Sequence, residues 1–290
     1  VGYCNLLPHW RDSEAAYVGL LGVIQRVKGK KYGKRMLLRS IEKAVDEGID
    51  RVDLHTWSGN LSAMPLYKKV GLFWVPDTSV YMQDFVPLLR HSDLTRDWFD
   101  VHDDWYSCQV RQLEQEPDEL EMDGMNDFRY EFEEDGDRLE AHIDRFGWGL
   151  TGLSKELGGE EFSIRAKLDS HDIFMGIENS YTLEIENHTD EDLGLEFEMH
   201  PFEGLEFMED FPSSVTVEKG ETEKISRKFL VGKEADTFES SHKRSEIIEL
   251  DVEMDGKEFT LTTGGKIKPA VEVESQRDMD LVFDGTEKEI

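Results

Sequence analysis

The sequence predicts an α/β segment followed by an all-β, antiparallel region. Three observations carry that reading. An apolar strand pattern, Val18-Gly19-Leu20-Leu21-Gly22-Val23, runs into a basic, glycine-punctuated turn and then into apolar residues at helical spacing, Met36, Leu37, Ile41 and Val45. A second strand, Arg51 to Trp57, follows one helix later, so the unit is a right-handed parallel crossover. From Phe128 onward the apolar period changes from helical to two, with turn signals between short runs and no helical stretch among them.

The elements follow in order. Gly2–Leu7 reads as a short strand, and Pro8–Glu14 as a polar turn leading back along Ala15–Val23, which makes a hairpin. The helix runs from about Lys34 to Glu47, with Gly48 at the position where a left-handed glycine ends helices. Its start is a ready anion site. Unpaired N–H groups and the helix dipole face outward together, and Lys28, Lys30, Lys31 and Lys34 add positive charge. Asn60 to Leu72 contains a second, shorter helix whose apolar face is Ala63, Leu66 and Val70. Phe73–Pro76 and Ser79–Met82 read as two further strands around a Pro-Asp-Thr turn.

Residues 1–86 resemble the GCN5-related N-acetyltransferase (GNAT) superfamily. The turn resembles its motif A, Gln/Arg-x-x-Gly-x-Gly/Ala, in either of two registers: one places Lys28, Lys31 and Gly33 on the motif positions, and the other starts at Arg26 and places Gly29. Asn60, Ala63, Leu66-Tyr67 and Gly71-Leu72 resemble the second signature, with Leu72 standing for its Phe. The resemblance implies a partial mixed sheet, because the family's first strand, first two helices and second strand have no counterpart in the residues before Gly2. It also implies acetyl-CoA as substrate and an amine acceptor. The expected cofactor-binding residues are Leu21, Val23, Lys28, Gly29, Lys31, Gly33, Lys34 and Asn60, and Tyr67 is the expected acid for the departing thiolate. Lysines act there as point charges and Gly33 allows close backbone approach. A phenol near its ordinary pKa can protonate a thiolate. The general base stays open among Glu14 (near the family's usual acid), His55, Asp53 and a water-mediated route.

A helix capped by Ser92 or Asp93 is expected through Leu94, Trp98, Val101 and Trp105, and then an acidic linker over 111–127. Asp135-Gly136 and Asp255-Gly256 mark hairpins. The strands from 176 to 274 loosely resemble the immunoglobulin-like modules appended to prokaryotic proteins. The organisation read from this is 1–90 GNAT-like, 91–125 helix and linker, 126–175 hairpin-rich, 176–274 immunoglobulin-like sandwich, and 275–290 an acidic tail or the start of another domain. The β region is expected to fold on its own as a spacer or protein-docking module, with Trp148 in a buried corner. The alternative to an enzyme is an acyl-CoA-sensing or protein-binding protein whose β modules carry the function.

Composition narrows the partners. The 290 residues hold 64 Asp plus Glu against 33 Lys plus Arg, a net charge of −31, so nucleic acid is not an expected partner. No apolar run is long enough for a bilayer, and two cysteines, Cys4 and Cys108, make no disulfide framework. A cytoplasmic setting is expected. The nine His lack metal-ligand spacing, and no metal is expected. The acids are interspersed with strand formers, a pattern of adaptation to high salt. Raising ionic strength from 0.1 M to 1 M shortens the Debye length from about 10 Å to about 3 Å and relieves self-repulsion. The melting temperature is therefore expected to rise between those conditions, and a flat thermal melt would contradict salt adaptation.

Overall fold

The computed structural model describes residues 1–269 and the strands Val273–Ser275 and Leu281–Phe283, so most of the 275–290 segment lies outside the described residues. The N-terminal part holds β1 (Gly2–Pro8), β2 (Ala15–Val23), α1 (Tyr32–Asp46), β3 (Arg51–His55), α2 (Met64–Lys69), β4 (Phe73–Trp74) and β5 (Tyr81–Asp84). They form a five-stranded mixed sheet ordered β1-β2-β3-β5-β4, in which only β2 and β3 run parallel. Leu37, Ile41 and Ala44 of α1 bury against Val18, Val52 and Leu54, the sheet residues that alternate toward that helix. Gly48 takes φ 66° just past α1, as a helix-ending glycine does.

Three short helices follow, α3 (Val86–His91), α4 (Arg96–Val101) and α5 (Trp105–Cys108), where the sequence reading expected one helix from Ser92 to Trp105. Pro87 opens α3 ahead of that stretch. Within it His102 leaves helical geometry at ψ 77° while its ring is held 2.9 Å from Asp137. Asp104 then caps α5, accepting from the Ser107 N–H and, at 2.6 Å, from its hydroxyl.

The rest is β: β6 (Gln109–Val110), β7 (Leu120–Met122), β8 (Met125–Glu134), β9 (Asp137–Asp144), β10 (Leu150–Leu157), β11 (Glu160–Leu168), β12 (Asp172–Phe174), β13 (Asn179–Asn187), β14 (Leu193–His200), β15 (Leu205–Phe207), β16 (Ser214–Val217), β17 (Thr222–Val231), β18 (Ile247–Met254), β19 (Lys257–Gly264) and β20 (Lys266–Lys268). One antiparallel sheet runs β15-β17-β13-β11-β10-β9-β8-β6 with β7 beside β8, and it crosses the 175/176 division through the β11–β13 pairing. A four-stranded sheet, β16-β14-β18-β19, covers part of it. Between the two lie Ile164, Ala166, Leu183, Ile185, Leu250, Val252 and Leu261, all buried. Asp135 and Asp255 take φ 54° and 52° with glycine after each, the turn geometry that Asp-Gly hairpins require.

The two halves share a core. Phe128 stacks on Phe73 with ring centroids 5.0 Å apart, and the Tyr130 hydroxyl donates to the Gly71 carbonyl at 2.8 Å while accepting from the Phe85 N–H at 2.8 Å. The acidic 111–119 stretch is likewise tied down. Asp118 accepts from buried Lys68 and from the Trp74 N–H, both at 2.8 Å. Strand β8 thus belongs to the cores of both halves, and the β region cut out at residue 126 would expose Phe128 and Tyr130. Replacing Tyr130 by Phe leaves the Phe85 N–H and the Gly71 carbonyl without their shared partner. Chemical denaturation should show a loss of about 1–3 kcal/mol, and a change within about 0.5 kcal/mol would show the bridge to be dispensable.

Asp84 lies beside this bridge, fully buried, with Oδ1 accepting from the Val86 N–H at 2.9 Å and Oδ2 unpartnered. Burial pushes its carboxyl up to about 7. The folded value then exceeds the unfolded one of about 3.9, so the folded state holds the proton longer and stability falls as pH rises from about 4 to about 7. Asp84→Asn should flatten that fall and leave the variant more stable than the parent at pH 8. Parallel pH profiles of the two melts would contradict this.

Candidate active site

The site begins where β2 and β3 part. On one side β2 is paired with β1 along its length, with one irregularity at Asn5/Leu6, but on the other only Ala15–Tyr17 pair with Arg51–Asp53. Strand β3 ends at His55 while β2 continues to Val23, so among the described residues Val18–Val23 has no strand partner on that side. A free row of backbone donors and acceptors results, able to pair with an extended, amide-bearing chain.

At the far end of that row a single 3-10 turn, Gln25–Val27, leads to the basic loop. Gly29 has φ 83° and Lys31, at the helix N-cap, has φ 61°, a left-handed conformation that costs a lysine more than it would a glycine. Among the described residues no side chain caps α1, which leaves its first N–H groups available. Arg26, Lys28, Lys30 and Lys31 are exposed around them. Lys34 is placed differently: its Nζ sits 3.3 Å above the Tyr106 ring, on the side of α5. A Cβ built on Gly33 would meet Leu66 at 3.4 Å and Val23 at 3.8 Å, ordinary contacts that put the start of α1 beside α2.

Tyr67 projects from α2, is 8% exposed, and its hydroxyl makes no hydrogen bond among the described residues. Burial, and secondarily Cys4, pushes its phenol upward. Cys4, on β1 opposite Leu21, lies 3.3 Å from the Ser40 hydroxyl of α1, which places Tyr67 on the α1 side of the sheet near the free row. Leu21 and Val23 are half-buried on that row. Asn60 is occupied locally: its Nδ2 donates to Thr56 at 2.8 Å and its carbonyl accepts from the Ala63 N–H, holding the loop that enters α2.

Glu14 precedes the opposite end of β2, seven residues before Leu21, or about 23 Å of extended chain. Its carboxylate is exposed and lies 3.5 Å from Arg244. The structure therefore does not bring Glu14 to Tyr67.

What it brings to the parting of the strands is another group of residues. Arg51, Asp53 and His55 alternate onto the sheet face away from α1, joined there by Tyr17 and Tyr81. Arg51 pairs with Asp53 through two nitrogens, at 2.8 and 3.0 Å, and reaches Asp12 at 2.7 Å. The Tyr81 hydroxyl donates to Asp53 at 2.5 Å. His55 stacks on Tyr81 at 4.6 Å, and its Nδ1 is 3.5 Å from the Tyr17 hydroxyl. His242, from the loop between β17 and β18, lies parallel to His55 at 5.9 Å. Sequence reasoning noted His55 and Asp53 but missed Tyr17, Tyr81 and His242. The Arg-x-Asp-x-His alternation on a strand with an apolar opposite face was the available signal.

Asp127, Asp144 and His171 also meet, fully buried, with candidate ligand atoms within 4.8 Å of one another. Hydrogen bonds already use the imidazole. Nδ1 accepts from the Asn126 N–H at 2.9 Å, so Nε2 carries the proton that faces Asp144 at 3.1 Å. Arg165 neutralises Asp127 at 2.6 Å. His171 thus offers no free lone pair to an ion, and the trio reads as a buried polar brace.

Residues 1–72 match the acetyltransferase (GNAT) family. This part of the chain is similar to a GNAT domain. Residues 170–265 match the Ig-like fold at the C-terminus of FixG. No curated protein matches the chain. Among solved structures, native alpha-2-macroglobulin of Escherichia coli is similar at 15% identity and TM-score 0.30, over 48% of this chain and 8% of that one. A FixG-related protein from Vibrio parahaemolyticus is similar at 15% identity and TM-score 0.26, over 37% of this chain and 96% of that one. WR4, a C. elegans MSP family member, is similar at 10% identity and TM-score 0.22, over 36% of this chain and 97% of that one. The chain thus spans under a tenth of the macroglobulin's length. The GNAT match ends at Leu72, so the basic turn, the unpaired row of β2 and Tyr67 all lie inside it, while β5 and His242 lie outside.

Proposed function

We infer that the GNAT segment transfers an acetyl group from acetyl-CoA to an amine by direct attack. The observation that carries this reading is the shared placement of three features: an uncapped, lysine-ringed helix start, an unpaired length of β2 leading away from it, and a free tyrosine hydroxyl beside that length. Pyrophosphate suits the N–H groups of α1 with Lys28 and Lys31 as point charges. The amides of the pantetheine arm suit the free groups between Val23 and Val18. That row is five residue steps, about 17 Å, so an arm anchored at the turn reaches toward the parting of the strands. The thiolate that leaves when the amine attacks needs a proton, and the Tyr67 hydroxyl is the nearby donor with no other partner. The Ig-like region supports a second role as a protein-docking module, since β14 and β18, the central strands of its four-stranded sheet, present Glu and Asp to solvent.

A non-catalytic, acyl-CoA-sensing protein is the second reading, favoured by the strained Lys31 in the turn and by the distance of Glu14. Thioester turnover separates the two.

Acetyl-CoA should raise the melting temperature by mass action. Gly33→Glu should abolish the shift by adding bulk and negative charge at the helix start, whereas Gly33→Ala should leave the unliganded melt unchanged, since its Cβ meets only ordinary contacts. No shift with millimolar acetyl-CoA would overturn the reading. In turnover, Tyr67→Phe should lower kcat by about 10²-fold with little change in KM, as expected for a group used in the transition state. An unchanged kcat would return Tyr67 to a packing role.

A further inference from the structure

The acetyl-transfer reading leaves two questions: what takes the proton from the attacking nitrogen, and what holds the acceptor. The gap between β2 and β3 has two sides. Tyr67 stands on the α1 side, next to Leu66, which neighbours Gly33, and near Cys4, whose thiol faces α1. His55 stands on the other, two residues beyond the last β2–β3 pair, Tyr17 with Asp53. A reacting carbonyl in that gap would therefore have a proton donor on one side and an imidazole on the other.

The sheet face around His55 is aromatic and open. Trp10 is 59% exposed and meets Tyr17 edge-on at 5.1 Å, and His9 stacks on Trp10 at 4.2 Å. Tyr81 backs His55, with its own hydroxyl tied to Asp53, so the stacked imidazole has a fixed floor. His242 closes the far side, exposed and parallel to both rings, 5.7 Å from Tyr81. His242 comes from the Ig-like half, so the face is completed only when the two halves are docked.

We propose that His55 accepts the proton from the attacking amine, and that the acceptor is a primary amine with an aromatic body, held across Trp10 and Tyr17 and bounded by His242. The proposal rests on the acetyl-transfer reading. In the step, the amine nitrogen bonds to the thioester carbonyl carbon and passes a proton to His55. The C–S bond then breaks and the thiolate takes a proton from the Tyr67 hydroxyl, which solvent restores. No co-reactant beyond the thioester and the amine is needed.

The groups facing His55 agree with this role. Tyr17 stands beside it from β2, Tyr81 from β5 and His242 from the loop before β18, with Asp53, Arg51 and His9 behind. Burial and the neighbouring imidazoles hold His55 below the ordinary histidine value, outweighing Asp53, so it is neutral and able to accept a proton near pH 7.

The test measures release of the CoA thiol from acetyl-CoA by the protein, with 2-phenylethylamine as acceptor and ethylamine as its ring-free counterpart. Ring contacts should make KM for 2-phenylethylamine about tenfold or more lower. The pH profile of kcat should rise through an apparent pKa below about 6.5. His55→Gln should lower kcat by about 10²-fold and erase that limb, and added imidazole should restore part of the rate to His55→Gly. His242→Ala should raise KM for 2-phenylethylamine and move the rising limb of the kcat profile to higher pH, since His242 helps hold His55 below its ordinary value. The acetyl-CoA melting shift, which does not involve this face, should persist in every variant and reports both folding and cofactor binding. Loss of that shift in the parent protein would overturn the acetyl-transfer reading and this proposal together. A retained shift with no turnover of either amine, with equal KM for both, or with the rising limb intact in His55→Gln would overturn the proposal alone.

Discussion

Arg51 and Asp53 form the ion pair on which the geometry of the site depends. Both are buried, the guanidinium grips the carboxylate with two nitrogens, and each partner has further bonds to satisfy it. Burial alone would make such a pair costly, since removing two charges from water can exceed what their attraction returns. Here the pair sits at a junction. Arg51 also holds Asp12 of the β1–β2 turn and lies 4.3 Å over the Trp148 ring, while Asp53 anchors the Tyr81 hydroxyl. One interaction thus ties together the paired end of β2 and β3, the plane against which His55 stacks, and the β-region turn that carries Trp148.

Trp148 shows how the second half bears on the first. It is 9% exposed, held at φ 57° between two glycines, and its ring supplies the face that Arg51 covers. Tyr130 repeats the theme elsewhere, where one phenol satisfies a carbonyl and an N–H of the N-terminal part. A β region that only trailed behind the N-terminal part would not bury aromatics against it. The shared core explains how a loop of that region can place His242 at a fixed distance from His55.

Much of the fold was legible because the residues that decide it act locally. Period-two alternation marks strands, Asp-Gly turns mark hairpins, and Gly48 and the basic turn mark the two ends of α1. The candidate site was legible in part, for the same reason: the basic turn, Gly33 and the helix that carries Tyr67 belong to short, contiguous patterns. The helices after β5 were less so. Leu94, Trp98, Val101 and Trp105 keep helical spacing, yet His102 is drawn out of the helix by Asp137, thirty-five residues away.

By itself, the sequence determined the order of elements, the change from α/β to all-β, the position of the basic turn before α1 and the excess of negative charge. Those follow from spacing and composition along the chain. Only the tertiary structure decided which carboxylates of the 64 acidic residues are buried, among them Asp53, Asp84, Asp127 and Asp144. It alone set Glu14 apart from Tyr67, turned Lys34 toward Tyr106, and set His242 beside His55. The physical reason is that burial and proximity depend on which elements pack together across long sequence separations, and no local pattern encodes the point at which β2 and β3 part.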